Sequence, residues 1–222
     1  MWGMKIKFDI DIKINRVVKF LVLSDLLFLG GWSMVSPILS IFMVRKIPGA
    51  TLVTVGLVIG LYWLIKSLLQ IPVANYLDTH DGESDDFYAL LLSLTLAALA
   101  AFILAVTTAL WQLFAAQFIY AIAMGLYVPS WSGIFSHHLD DKRFSFDWSL
   151  DSTVVGLTSF VAALSSGILA EKFGFSPVFF IVGTLSLMSA IMLFLIPNLI
   201  LPKGKREEVP VIRDHTPAGI ER

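Results

Sequence analysis

An aspartate and a lysine stand alone inside long apolar runs, and any chemistry in this chain would start with them. Asp25 lies in the run 17–44 and Lys66 in the run 52–76. With a helical rise of about 1.5 Å per residue, antiparallel spans would place the two at depths differing by only about 4–5 Å. That is near enough for a direct or water-bridged ion pair. A lone charge at the centre of a bilayer costs roughly 2.5–3.5 kcal/mol or more, so pairing or hydration is expected. A carboxylate tuned in this way by a nearby ammonium can bind and release a proton. A permanent structural salt bridge is the alternative, and the residues alone leave both open.

Polar and aromatic residues recur around this pair at helical spacing. Gln117, Tyr120, Met124, Tyr127 and Trp131 fall on one face of a helix. Tyr62, Trp63, Lys66 and Gln70 share another face, and Asp25, Leu29, Trp32 and Ser36 a third. Such stripes suit a cavity that stacks on a flat or amphipathic small molecule, and helix–helix packing uses similar stripes. Gly56 with Gly60, and Ala163 with Gly167, are small-residue steps that allow two helices to approach closely. The partner helix belongs either to the same bundle or to a second copy. Gly30, Gly31, Pro37, Gly125 and Pro129 predict bends in the first and fourth spans.

The elements that must position these residues are membrane helices. Six apolar stretches, 17–44, 52–76, 87–107, 110–137, 148–169 and 178–199, each reach the roughly 20 residues needed to cross hydrocarbon. Hydrophobic residues make up 57% of the chain and mean hydropathy is +0.81, above the range of water-soluble domains of this size. The chain divides into an arm (1–16), a six-helix domain (17–200) and a charged tail (201–222). The first span is too long for a signal-peptide core and is read as retained. With the N-terminus in the cytoplasm, Lys5, Lys7, Lys13, Arg16, Lys19, Lys142, Arg143 and all tail cations fall inside, against Arg45, Lys46 and Lys172 outside. Both termini are therefore expected to be cytoplasmic, in the cell membrane.

The arm 5–14 alternates polar and apolar residues, a strand pattern, with a flexible arm as the alternative. Trp2 and Trp111 read as anchors at the membrane interface. The third and sixth spans carry no ionisable residue and are expected on the outside of the bundle; the first, second, fourth and fifth are expected inside. A shift of about 92 residues lays Asp25 on Gln117 and Pro37 on Pro129. The two three-span units then insert with opposite orientation, as inverted repeats do.

Two junctions carry a family resemblance. The segment 72–82, PVANYLDTHDG, resembles the Gly-x-Leu-Ala-Asp-Arg-x-Gly loop of the major facilitator superfamily, and 167–175, GILAEKFGF, resembles that family's fifth-to-sixth junction. Ala74 replaces the first glycine, and Glu83, Ser84, Asp85 and Asp86 stand where basic residues are usual. The resemblance implies an all-helical half-fold, a 3+3 inverted repeat, in a family whose full transporters carry two such halves. It further implies a parallel twofold homodimer whose seam runs through Gly56, Gly60, Ala163 and Gly167. Asp25 is similar to the proton-coupling acid of several members, and Trp32, Tyr62, Trp63, Gln70, Gln117, Tyr120, Tyr127 and Trp131 would contact substrate. Asp78 would gate by meeting the partner's fifth span near Trp148 and Asp151, with solvated helix capping as the alternative. The first reading of function is thus a proton-coupled secondary transporter of a small solute, working as a homodimer by alternating access; a scaffold or accessory subunit pairing with another chain is the second, and a fragment lacking its other half is a third.

Other chemistries lack their residues. No cysteine is present, so neither thiolate nor disulfide chemistry is available. Phosphate-loop, serine-nucleophile and zinc-protease patterns are missing, and no basic patch suits nucleic acid. His137, His138, Asp140 and Asp141 are potential ligands, but adjacent histidines on a helix diverge, so they are read as a solvated helix end with no metal and no cofactor.

Overall fold

The computed structural model describes residues 15–79, 83–139 and 143–196. The strand-patterned arm, Trp2, Asp140, Asp141 and the tail lie outside the described residues. Those described are helical: α1 (Arg16–Trp32), α2 (Val35–Lys46), α3 (Leu52–Thr79), α4 (Ser84–Val106), α5 (Leu110–His137), α6 (Phe144–Phe173) and α7 (Phe175–Phe194). Six membrane-length apolar segments result, because α1 and α2 are two parts of one span, Arg16–Lys46. Several helices begin before their hydropathy does. Asp85 and Asp86 occupy the first turn of α4 and Asp147 that of α6, where negative charge is stabilised by the helix dipole.

The break between α1 and α2 has an identifiable cause. Pro37 has no N–H for the carbonyl of Ser33, and its ring crowds that carbonyl. The chain turns at Ser33–Met34, and the Ser33 hydroxyl donates to the Leu29 carbonyl at 2.8 Å. Pro72 and Pro129, by contrast, sit within unbroken helices, so the fourth span is not interrupted where its proline and Gly125 predict a bend. The α6–α7 junction turns at Gly174, whose φ of 85° favours glycine. Its N–H closes α6 on the Ala170 carbonyl at 3.1 Å.

The helices form an open arc in the order α3, α5, α4, α7, α1, α6. This order is symmetric under the inverted repeat. α3 leans on α5 as α6 leans on α1, α4 packs on α5 as α7 packs on α1, and α4 meets α7 at the centre. Glycines permit close approaches: a Cβ at Gly30 would run into Thr158 and one at Gly183 into Phe102, while one at Gly125 would lie 3.0 Å from Leu69 Cβ and one at Gly31 3.2 Å from Leu185 Cδ1. Hydrogen bonds inside the apolar core tie α1 to its neighbours. Ser24 and Ser189 hydroxyls lie 2.7 Å apart, Trp32 Nε1 donates to Ser186 at 3.1 Å, and Ser33 meets Ser159 at 2.6 Å.

Burial within the single chain does not follow that grouping of spans. The third and sixth spans, α4 and α7, are close to half buried, whereas the second and fifth, α3 and α6, have few fully buried residues and mix partly with fully exposed positions. On α3 only Val58 and Leu77 are buried, and on α6 only Asp147, Asp151 and Ser166. Position in the arc explains the difference. α3 and α6 are its two ends and each has one main neighbour, while α4 and α7 sit mid-arc with neighbours on both sides. Polar content marks the spans that avoid lipid, but it does not say whether protein of the same chain covers them.

Candidate functional site

Across the concave side of the arc, α1 and α5 meet through three ring and carboxylate contacts. The Tyr127 hydroxyl donates to Asp25 Oδ1. Phe28 tilts against Tyr127 with ring centroids 4.7 Å apart, and Trp32 stacks on Tyr120 at 3.6 Å and 13°. Asp25 is 1% exposed and Tyr127 3% exposed, so the pair is buried within the bundle. The stripe on α5 therefore has two uses. Tyr127 and Trp131 pack inward, Trp131 against Phe135 and Trp148, while Gln117 and Tyr120 border a hollow.

Asp25 and Lys66 do not form the expected ion pair; among the described residues no carboxylate lies within 4.0 Å of Lys66. Its Nζ instead sits 4.9 Å from the ring centroid of Trp63, one turn away on the same helix. Axial depth followed from helical rise, but α3 reaches the core through α5 rather than through α1. Beside Asp25 lies Asp151 of α6, close enough for the two carboxylates to interact through space.

Five aromatic and cationic groups form a ladder. Trp32, Tyr120 and Tyr62 lie nearly parallel, Tyr120 to Tyr62 at 5.3 Å and 14°. Trp63 meets Tyr62 edge-on at 5.2 Å, and Lys66 follows. A hollow of about 210 Å³ opens at this ladder, bordered by Trp32, Ser36, Tyr62, Trp63, Gln117 and Tyr120. A second, more open groove of about 630 Å³ runs between α3 and α5 toward the start of α4, bordered by Ser67, Gln70, Asn75, Asp78, Pro129 and Ser132. Lys66 stands between the two along α3. Sequence reasoning named most of these residues; Ser67 and Ser132 it missed, although Ser67 falls a helical turn from Gln70 and Ser132 a turn from Pro129.

Four buried polar atoms in this region have no hydrogen-bond partner among the described residues: Gln117 Nε2, Trp131 Nε1, Asp147 Oδ2 and Asp151 Oδ1. Asp147 was not singled out from the sequence. The available signal was its position four residues before Asp151, which puts both on one helical face.

The remaining expected site residues fall at the margins. Asp78 is exposed at the end of α3, at the opposite end of the arc from Trp148 and Asp151 on α6. Trp148 is half-exposed and packs on Phe135 at 4.9 Å. Among the described residues a Cβ at Gly56, Gly60 or Gly167 would meet nothing within 4 Å; the α3 step opens outward from the chain's own bundle, whereas Gly167 borders a groove of about 350 Å³ against Ile38, Ile41 and Arg45 of α2, and Ala163 is partly exposed on α6. At the end that holds the start of α4, Glu83 is buried between His137 Nδ1 at 3.4 Å and His138 Nε2 at 3.7 Å. Asn15 ties α1 to the same place, its Nδ2 donating to the His138 carbonyl at 2.8 Å.

Comparison with known proteins agrees with this architecture. The in meso crystal structure of the POT family transporter PepTSo is similar to this chain with a TM-score of 0.70 and 18% sequence identity. The match covers 87% of this chain and 40% of that one, so the chain spans less than half the length of its structural neighbour. Among curated proteins no sequence match was found. The family model of the Major Facilitator Superfamily matches residues 21–218, nearly the whole chain. The chain is therefore a multi-pass membrane protein that belongs to the Major Facilitator Superfamily, a family of membrane transport proteins rather than enzymes.

Proposed function

We propose that this chain is one half of a secondary transporter for a small solute, completed by a second copy and working by alternating access. The carrying observation is the open arc. Its concave side holds the aromatic ladder and the polar groove, and the two helices flanking it, α3 and α6, have few fully buried residues. Gly56 and Gly60 open onto free space along α3 among the described residues, and small residues are what close membrane-helix contacts use. A parallel twofold homodimer would set α3 of one copy against α6 of the other, restoring the two-half arrangement of the family. The passage would then lie on the dimer axis.

Within this reading Asp25 is the proton carrier. It is a buried membrane carboxylate with no cationic partner in ion-pairing range among the described residues, held by Tyr127 and facing Asp151. Lys66, expected to tune it, serves the aromatic hollow instead. Asp78, Trp148 and Asp151 act as the gate, with both termini cytoplasmic. The test is uptake into proteoliposomes under an imposed pH gradient. Asp25→Asn keeps an acceptor for Tyr127, so assembly and thermal stability should persist while gradient-driven uptake of every solute the wild type carries is lost. Unchanged coupling in that variant would overturn the mechanism. An intact mass of one chain in lipid nanodiscs would overturn the dimer.

A further inference from the structure

Lys66 is a membrane-depth ammonium for which the described residues supply no carboxylate. Its present contact, the face of Trp63, supplies only part of what a desolvated charge needs. The hollow beside it is equally incomplete. Gln117 is 3% exposed and borders it, yet its Nε2 meets no acceptor. An unmet buried donor is costly, and such groups signal a missing partner. The other walls are the rings of Trp32, Tyr62, Trp63 and Tyr120 and the aliphatic Val35, Leu39 and Ile59, with Ser36 a further polar side chain and no acid among them.

These features select a ligand by chemistry. The near-parallel stack of Trp32, Tyr120 and Tyr62 is extended by a flat ring. The vacant donors, Gln117 Nε2 and Lys66 Nζ, call for an acceptor, and the positive charge calls for an anionic one. The roughly 210 Å³ available in one copy exceeds the roughly 150 Å³ that takes up a benzene, so one small ring system fits. We propose that the hollow binds flat aromatic carboxylates: the ring continues the stack on Tyr62, and the carboxylate sits between Lys66 and the Gln117 amide. A cationic ligand of the same shape is repelled by Lys66, which already occupies the Trp63 face. The assignment names the substrate class for the transport site proposed above and rests on that reading for its role, but binding itself does not require transport.

The experiment is a binding titration in lipid nanodiscs, read by quenching of tryptophan fluorescence and by calorimetry, with 2-naphthoate, neutral 2-naphthamide and 2-naphthylmethylammonium as probes. The wild type should prefer the carboxylate to the amide by about tenfold to a hundredfold, the range one hydrogen bond to a charged group contributes, and should bind the ammonium most weakly. Lys66→Met, which keeps the side-chain length, should erase the preference and leave amide binding unchanged. Lys66→Arg, which keeps the charge, should retain the preference, and Tyr62→Leu should weaken carboxylate and amide alike. Equal affinity for the three probes, a preference for the ammonium, no binding of any probe, or an unaltered preference in Lys66→Met would each overturn the proposal. Binding with the stated preference but no transport would fault the transport reading alone; transport of other solutes with rejection of 2-naphthoate would fault this one alone.

Discussion

The outward glycines of α3 offer the sharpest test of assembly. A Cβ at Gly56 or Gly60 meets no atom within 4 Å in the single chain, so Gly60→Leu adds bulk where the bundle has room. Within one copy the change should be neutral or favourable, since leucine exceeds glycine in helix propensity by up to about 1 kcal/mol. At a close helix–helix seam the same side chain has nowhere to go. Overpacking costs about 1–3 kcal/mol per site, and a twofold interface carries each substitution twice. One substitution therefore costs the dimer about 2–6 kcal/mol, a loss of roughly thirtyfold to ten-thousandfold in Kd. Native mass spectrometry across a dilution series in nanodiscs would follow the shift from two chains to one chain of 24.6 kDa, while the melting temperature of the monomer holds or rises. A wild type that stays at one chain throughout, or a Gly60→Leu variant that dissociates as the wild type does, would refute the reasoning.

Three further outcomes follow from packing and hydrogen bonding. Tyr127→Phe strips the buried Asp25 carboxylate of its donor and should cost about 1–3 kcal/mol in detergent melts; adding Asp25→Leu should recover much of the loss, because an apolar pair needs no donor. Gly125→Leu drives a side chain into Leu69 and the Lys66 backbone, so it should lower the melting temperature and expose the α3–α5 contact to protease even as a single copy. Asn15→Ala removes both the cap on Val17 N and the tie to His138, and hydrogen exchange at the first turn of α1 should rise in line with a cap worth about 0.5–2 kcal/mol.

Hydropathy made the six spans legible, since length and apolar content decide what crosses hydrocarbon. The inverted repeat was legible from Asp25 over Gln117 and Pro37 over Pro129, and the packing order repeats it. What the sequence could not supply was direction around the helix axis and the order of neighbours. Asp25 and Lys66 matched in depth, yet depth is one coordinate of three, and Tyr127 on the intervening side took the carboxylate. Tyr127 and Trp131 sat on the right stripe, but a stripe does not distinguish a cavity from a packed contact, and both rings proved packed. Single-chain burial is a separate matter for the second and fifth spans: polarity reports what a helix avoids and not which chain covers it.

The two exposed end helices make different demands on what covers them. α6 shows Leu157, Phe160, Val161, Leu164 and Ile168 outward and keeps its carboxylates Asp147 and Asp151 inside, a distribution that acyl chains satisfy as well as protein does. α3 mixes outward Leu64, Leu68 and Ile71 with the partly or fully exposed Lys66, Gln70, Asn75 and Asp78. Acyl chains cover the first group, but the second needs water or hydrogen-bonding protein at membrane depth. Lys66 and Gln70, on one face of α3, therefore have to border an aqueous passage while the face of Leu64, Leu68 and Ile71 meets lipid or another helix. The groove beside Gln70 continues past Ile71 to Asn75 and Asp78 at the helix end. A second copy related by a twofold axis would meet both demands at once, with the outward apolar surface of its α6 covering the apolar side of α3 and the polar side left facing the shared axis. Lipid alone meets only one of them.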